Sequence, residues 1–149
     1  MDTREGMIWR YLYSIGILMI EHYQQLIKNK EYNPFTHPLP CFLERVIDGD
    51  TVVLLVDLGY YQLAKSTHRL EGINTPETHN VPRDSEEYRK GKRATYTTSL
   101  WFEAQQKHYP PIYVISNKTG KYGRWISTIF THQSCLNEEL KLHGYGQHN

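Results

Sequence analysis

The chain has 149 residues, a length that fits one domain able to bury a core without disulfides or a structural metal. Hydrophobic residues make up 39% of it and charged residues 22%, which is a globular composition and excludes an intrinsically disordered chain. The formal net charge is +1, so an argument for nucleic-acid binding has to come from the local placement of basic groups.

The cysteine and aromatic residues exclude few kinds of functional site. No spacing of cysteine and histidine predicts a zinc site, and two free thiols at Cys41 and Cys135 are favoured over a disulfide between them. Twelve tyrosines and three tryptophans are first of all core residues, with base stacking as the second interpretation.

The N-terminal segment, residues 1–31, is predicted to contain a helix over residues 7–28 that packs on the domain, on a partner protein or on a membrane. Its apolar run Tyr11–Ile20 is shorter than the roughly 20 residues that a membrane-spanning helix needs. Asp2 and Glu5 are unlike the basic start of a signal peptide. A soluble protein is therefore favoured, and a secreted or membrane-anchored one is the alternative.

Residues 32–40 contain three prolines and are predicted to be a linker to one domain over residues 41–149. Short β-rich runs follow, and an Asp-Gly pair between two such runs is a strong hairpin signal. The predicted strands are Phe42–Ile47, Thr51–Leu58 and Leu63–Ile73.

The second half of the domain is predicted to contain a helix, two strands and a final helix. These elements cover Ser85–Gln106, Ile112–Ser116, Arg124–Thr131 and Ser134–His143, and Ser134 is the expected N-cap of the last helix. The order predicts a mainly β (α+β) fold, a five-stranded OB-like barrel with an interposed helix and a C-terminal helix, preceded by the N-terminal helix.

Charged side chains fall at several predicted strand ends. Taken singly, Asp50, Arg69, Glu77 and Arg124 are explained as turn or surface residues. Taken together, they are the groups that a phosphodiester-cleaving site needs. Carboxylates bind a hard cation or position water, and guanidinium groups bind phosphate oxygens.

Three ordered motifs carry a resemblance to a known family. IDGDTV (Ile47–Val52), RLEGINTPE (Arg69–Glu77) and KYGR (Lys121–Arg124) resemble the staphylococcal-nuclease-like, or thermonuclease, family. LNEELKLHGYG (Leu136–Gly146) resembles the family's stretch after the fifth strand. The resemblance covers roughly residues 41–146. It implies an OB-fold barrel and a calcium-dependent nuclease that hydrolyses DNA or RNA and leaves 3′-phosphate ends.

For the metal site, the resemblance implies that Asp50 is a direct Ca²⁺ ligand and that Thr75 binds through its backbone carbonyl. Asp48 would support the ion through water. Position 74 is Asn, where the family's best-studied pattern has a second aspartate ligand. An amide oxygen still coordinates Ca²⁺ but carries no charge, so weaker binding and access for other divalent cations are expected.

For catalysis, the resemblance implies that Glu77 is the general base. Arg69 and Arg124 would bind the reacting phosphate, and Lys121 and Tyr122 a neighbouring phosphate of a single-stranded DNA or RNA substrate. Two alternatives stay open. One is a non-catalytic nucleic-acid-binding module of the same fold, and the other is a structural or membrane-associated protein that acts through its N-terminal helix.

Overall fold

The computed structural model describes residues 37–107, 111–120 and 122–147, together with Leu18, Glu21 and Gln25. Within the described residues from 37 onward the chain forms five strands and two helices. The strands are β1 (Leu39–Asp48), β2 (Thr51–Gly59), β3 (Gln62–Leu70), β4 (Ile112–Thr119) and β5 (Trp125–Phe130), and the helices are α1 (Glu86–Gln106) and α2 (Leu136–Leu142).

The five strands close into a barrel in the order β1-β2-β3-β5-β4. Consecutive strands pair antiparallel from β1 to β3, and β4 pairs antiparallel with both β5 and β1. The pair β3–β5 is parallel, which requires a long crossover, and the chain supplies it with α1 and β4. The predicted five-stranded barrel with an interposed helix and a C-terminal helix is confirmed.

The core fills the barrel interior and the space between the barrel and the two helices. Strand β2 contributes most because its residues Thr51–Leu54 are all buried. A strand that is buried on both faces needs hydrophobic residues at successive positions, which explains the consecutive branched residues of β2. The largest fully buried hydrophobic side chains are Phe102, Leu54, Leu70, Ile73, Ile129, Leu136, Leu140 and Val52.

Helix α1 begins and ends almost where the sequence predicts. The Ser85 hydroxyl caps it by accepting a hydrogen bond from the Tyr88 N–H at 3.2 Å, and Glu86 and Glu87 in the first turn favour the positive end of the helix dipole. The prediction of a helix through Gln106 is confirmed.

Four local predictions were wrong. Strand β4 ends at Thr119 rather than Ser116, because Lys118 and Thr119 still pair with Ile126 and Trp125 of β5 after a register shift. Strand β3 ends at Leu70 rather than Ile73, because the chain turns at Gly72 with φ +73°. Strand β1 begins at Leu39, inside the predicted linker, since a proline at position 40 is tolerated near the start of a strand. The N-cap of α2 is Cys135, and Ser134 instead accepts a hydrogen bond from the Trp101 indole N–H at 2.8 Å.

Apart from Leu18, Glu21 and Gln25, the predicted N-terminal helix lies outside the described residues, and so does most of the predicted linker. Over the residues that the structure describes, none of the helices has the length and apolar character needed to cross a membrane. Cys41 and Cys135 are both free thiols, as favoured from the sequence, and burial raises the pKa of Cys41 to about 12.

An imidazole is buried inside the barrel. His68 on β3 is 2% exposed and lies between two hydroxyls, with its Nε2 2.7 Å from Ser66 Oγ and its Nδ1 2.7 Å from Ser127 Oγ. Burial disfavours the charged ring and lowers the pKa of His68 from 6.5 to about 4. The folded protein therefore holds this ring neutral at neutral pH.

This buried ring predicts a loss of stability in acid. A depressed pKa in the folded state means that the unfolded chain binds the proton more readily, so the contribution of His68 is intact above about pH 6.5 and is lost as the pH falls towards 4. The loss is expected to be about 3 kcal/mol in the free energy of unfolding. Denaturant unfolding of wild type and His68→Gln across this range measures it.

The variant is expected to show a flatter pH profile, whatever its stability at neutral pH. His143→Gln is the matched control, because that ring is exposed on the surface. Parallel profiles for wild type and His68→Gln would contradict the prediction.

Candidate active site

The turn between β1 and β2 is held against helix α1. The Thr98 hydroxyl donates to the Gly49 carbonyl at 2.6 Å. A Cβ atom at position 49 would lie 2.7 Å from the Ala94 Cβ and 2.8 Å from the Thr75 Cγ2, so only glycine allows this approach. The turn that carries Asp48 and Asp50 is thus fixed by the helix as well as by its own strands.

Asp50 is buried, and both of its carboxylate oxygens have partners. Oδ1 accepts a hydrogen bond from the Thr51 hydroxyl at 2.8 Å. Oδ2 accepts one from the Thr75 backbone N–H at 3.0 Å and lies 2.5 Å from Arg69 Nη1. The N–H bonds of Nη1 do not point at this oxygen, so the last contact is an ion pair without hydrogen-bond geometry.

Arg69 connects Asp50 to Asn74. Its Nη2 donates to Asn74 Oδ1 at 3.2 Å, so one guanidinium group contacts both side chains that the sequence predicts as metal ligands. Thr75 is present as well, and its hydroxyl is buried with no hydrogen-bond partner among the described residues. The oxygens of Asp50 and Asn74 therefore converge on a single cationic group.

A second cluster lies on the other side of the turn. Asp48, Glu77 and His79 each place one potential ligand atom within 4.8 Å of the others. Asp48 Oδ1 accepts a hydrogen bond from the Thr78 hydroxyl at 2.7 Å and lies 3.5 Å from His79 Nδ1. The sequence reasoning missed His79, although its position two residues after Glu77 in the same loop was a usable signal.

The loop that carries Glu77 packs directly on α1. A Cβ atom at Gly91 would lie 2.6 Å from the Pro76 carbonyl oxygen and 3.0 Å from that of Glu77. Gly91 weakens the helix by propensity, but it allows the helix backbone to lie close to this loop. Helix α1 therefore positions both segments of the site, the β1–β2 turn and the loop after β3.

Arg124 immediately precedes β5, which lies next to β3 with His68 paired to Trp125 and Arg69 to Ile126. Its guanidinium group lies 5.3 Å from the centroid of the Tyr122 ring, a cation–π contact. Across the described residues, no hydrogen bond or ion pair joins Arg124 to Asp50, Arg69 or Glu77. Lys121, predicted to bind substrate, lies outside the described residues.

An open cavity of about 730 Å³ adjoins the two clusters. Its lining includes Asn74, Glu77, Glu86, Glu87 and Lys90. Glu86 is paired with Arg93 at 3.3 Å, which leaves two carboxylates against one ammonium group. This wall repels a phosphate chain unless cations compensate it. The cavity is therefore suited to a cation, or to a polyanion that arrives with one.

No protein-family model matches this chain. The functional interpretation therefore depends on the geometry of these two clusters and on the motifs that carry them. Asp50, Arg69 and Asn74 are brought into direct contact, and Asp48 and Glu77 are brought close together. Arg124 lies just before the neighbouring strand β5 and packs on Tyr122.

Proposed function

We propose that the protein is a divalent-cation-dependent nuclease that hydrolyses the phosphodiester bonds of single-stranded DNA or RNA. The observation that carries the proposal is the contact of Arg69 with both Asp50 and Asn74, beside a cavity whose lining includes Asn74 and Glu77. A guanidinium group, a buried carboxylate and an accessible carboxylate are the chemical set that phosphodiester hydrolysis needs. The resemblance in the three motifs supports the same reaction.

The residues present fit a hard divalent cation such as Ca²⁺. Asp50 and Asn74 offer oxygens that already converge on one positive group, and the unpartnered hydroxyl of Thr75 is a further oxygen donor next to them. A bound cation supplies charge neutralisation at the phosphate. Asp48, Glu77 and His79 form the adjoining group of donors, which supports a role for Asp48 at the edge of the metal site.

In the proposed reaction the Glu77 carboxylate accepts a proton from the attacking water. The water oxygen bonds to phosphorus, the bond between phosphorus and the 5′ oxygen breaks, and that oxygen takes a proton from solvent. The products are a 3′-phosphate and a 5′-hydroxyl. Arg69 and Arg124 hold the equatorial phosphate oxygens, where guanidinium groups stabilise the charge that develops.

A non-catalytic nucleic-acid-binding module is the second candidate, and two observations favour it. Arg69 already neutralises Asp50 in the structure described here. In addition, Tyr60 and Tyr61 at the β2–β3 turn are fully exposed and have φ values of +52° and +60°, an unfavourable conformation for bulky residues. Exposed tyrosine rings are suitable platforms for base stacking.

The test of the proposed function is cleavage of a labelled single-stranded oligonucleotide by the full-length protein. Cleavage in Ca²⁺ that stops with chelator and returns with added Ca²⁺ is expected. Treating the products with a 3′-phosphatase should change their electrophoretic mobility, because they end in a 3′-phosphate. Mg²⁺ and Mn²⁺ are run in parallel because Asn74 is uncharged. Oligonucleotide binding without cleavage in every cation would overturn the nuclease proposal in favour of the binding module.

A further inference from the structure

A second cavity, of about 500 Å³, lies at the mouth of the barrel where β2 ends and β3 begins, and it reaches inward as far as His68. Alternate residues of β3, Ala64, Ser66 and His68, line it, as expected for the inner face of a barrel strand. Val56 and Val114 from the neighbouring strands make its wall largely apolar. A cavity of this size is in the range that binds drug-sized molecules, and barrel mouths are a frequent location for such sites.

The inner end of the cavity is polar. Four side chains form a chain of short contacts: Ser66 Oγ to His68 Nε2 at 2.7 Å, His68 Nδ1 to Ser127 Oγ at 2.7 Å, and Ser127 Oγ to Ser116 Oγ at 2.8 Å. Ser116 Oγ also lies 3.5 Å from His68 Nδ1, but that nitrogen carries one proton or one lone pair and already serves Ser127.

These four side chains together carry one more polar hydrogen than their mutual contacts use. Three hydroxyls and a neutral imidazole provide four polar hydrogens, and the chain contains three short contacts. If His68 carries its proton on Nε2 and donates to Ser66, the Ser66 hydroxyl has the spare hydrogen. If the proton is on Nδ1, the donors run the other way and Ser116 has it. Both serines line the cavity.

Among the described residues, the cavity offers no carboxylate and no unpaired ammonium or guanidinium group. Lys65 is the lysine in its lining, and its ammonium group is bound to Glu44 Oε1 at 2.7 Å, while His37 and His68 are its two imidazoles. The imidazole at its inner end is neutral, because burial holds the pKa of His68 near 4. An ionic ligand would therefore lose its hydration without gaining a counter-charge, which is unfavourable.

We propose that the barrel mouth is a binding site for an uncharged, mainly apolar small molecule that presents one hydrogen-bond acceptor, such as a carbonyl oxygen, to Ser66 or Ser116. The apolar wall buries the body of the ligand. The spare hydroxyl hydrogen at the inner end pairs with its acceptor, so no polar group is left unsatisfied on either side. This site is separate from the proposed nuclease site and does not depend on it.

The test uses an uncharged naphthyl ketone, 6-propionyl-2-(dimethylamino)naphthalene, whose emission shifts to the blue when it leaves water. The matched probe is 6-propyl-2-(dimethylamino)naphthalene, which lacks the carbonyl. Full-length protein is expected to bind one ketone per chain, saturably, and about tenfold more tightly than the propyl analogue, the value of one hydrogen bond. Fluorescence titration gives the affinity of the ketone, and displacement of bound ketone by the propyl analogue gives the second affinity, without any mutation.

Two variants locate the site. Ser66→Leu and Ala64→Leu each place a larger side chain in the cavity and should abolish saturable ketone binding. Gln62→Leu is the control, since it makes a similar hydrophobic change at an exposed position of the same strand outside the cavity. Circular dichroism checks that each variant is folded. If one of the two cavity variants does not fold, the other one alone tests the location of the site.

Three results would overturn the proposal. The first is the absence of saturable ketone binding by the wild-type protein. The second is equal affinity for the ketone and its propyl analogue, because the hydrogen bond at the inner end would then be absent. The third is unchanged ketone binding by a folded Ser66→Leu or Ala64→Leu variant, which would place the probe elsewhere.

Discussion

Replacing Glu77 by glutamine is expected to lower the rate of calcium-dependent cleavage by about a hundredfold to ten-thousandfold, the usual contribution of a general base. The amide has nearly the same shape but cannot accept the proton of the attacking water. Glu77 is exposed and forms no hydrogen bond or ion pair within the described residues, so the free energy of unfolding should change by less than about 0.5 kcal/mol. Single-turnover cleavage and denaturant unfolding measure the two effects.

Glu87→Gln is the matched control for this prediction. Glu87 lines the same cavity, and the substitution removes the same charge, but the residue lies on α1 rather than in the loop after β3. The control should cleave within a fewfold of wild type. Equal losses in both variants would show that the carboxylates act through the overall charge of the cavity, and Glu77 would not be the general base.

Replacing Asp50 by asparagine is expected to destabilise the protein by about 3 kcal/mol, because it leaves a partly buried guanidinium group without its counter-charge. The side chains of Asp50 and Arg69 are 10% and 19% exposed, so water cannot fully replace the lost partner. The neutral side chain also removes the charged ligand of the proposed metal site. Calcium should then no longer raise the temperature of unfolding, which thermal melts with and without the ion measure.

Two further variants test whether the loss of stability in Asp50→Asn comes from breaking the ion pair with Arg69. Asp57→Asn makes the same change at an exposed carboxylate that accepts a hydrogen bond from the Gly59 N–H, and it should cost less than about 1 kcal/mol. Arg69→Met combined with Asp50→Asn removes both charges and should recover part of the lost stability. If Asp50→Asn costs no more than Asp57→Asn, the buried ion pair has no role in stability.

Much of the fold was predictable because its signals are local. The Asp-Gly turn between two apolar runs predicted the β1–β2 hairpin, and the helical periodicity over Ser85–Gln106 predicted α1. Backbone hydrogen bonding, side-chain periodicity and capping act over a few residues, so a single stretch of chain contains them. The errors at Ser134 and at the end of β3 arose where a contact distant in sequence, or a glycine turn, outweighed the local pattern.

The candidate site was predictable only as a set of residue types. The motifs named Asp50, Arg69, Asn74 and Glu77, but no spacing along the chain indicates that Arg69 contacts Asp50 and Asn74 together. The spacing along the chain also does not indicate that His79 lies beside Asp48. Such contacts depend on side-chain directions at the ends of different strands, which are set after the strands have paired.

The sequence alone thus determined the order of strands and helices and the kinds of charged group at their ends. Tertiary structure decided the parallel pairing of β3 with β5, the approach of α1 to Gly49 and Gly91, and the buried chain of hydroxyls around His68. The physical reason is the distance along the chain between the residues that interact. Turns and caps are stabilised by neighbours in the chain, whereas barrel closure and buried polar contacts depend on segments that meet only when the core packs.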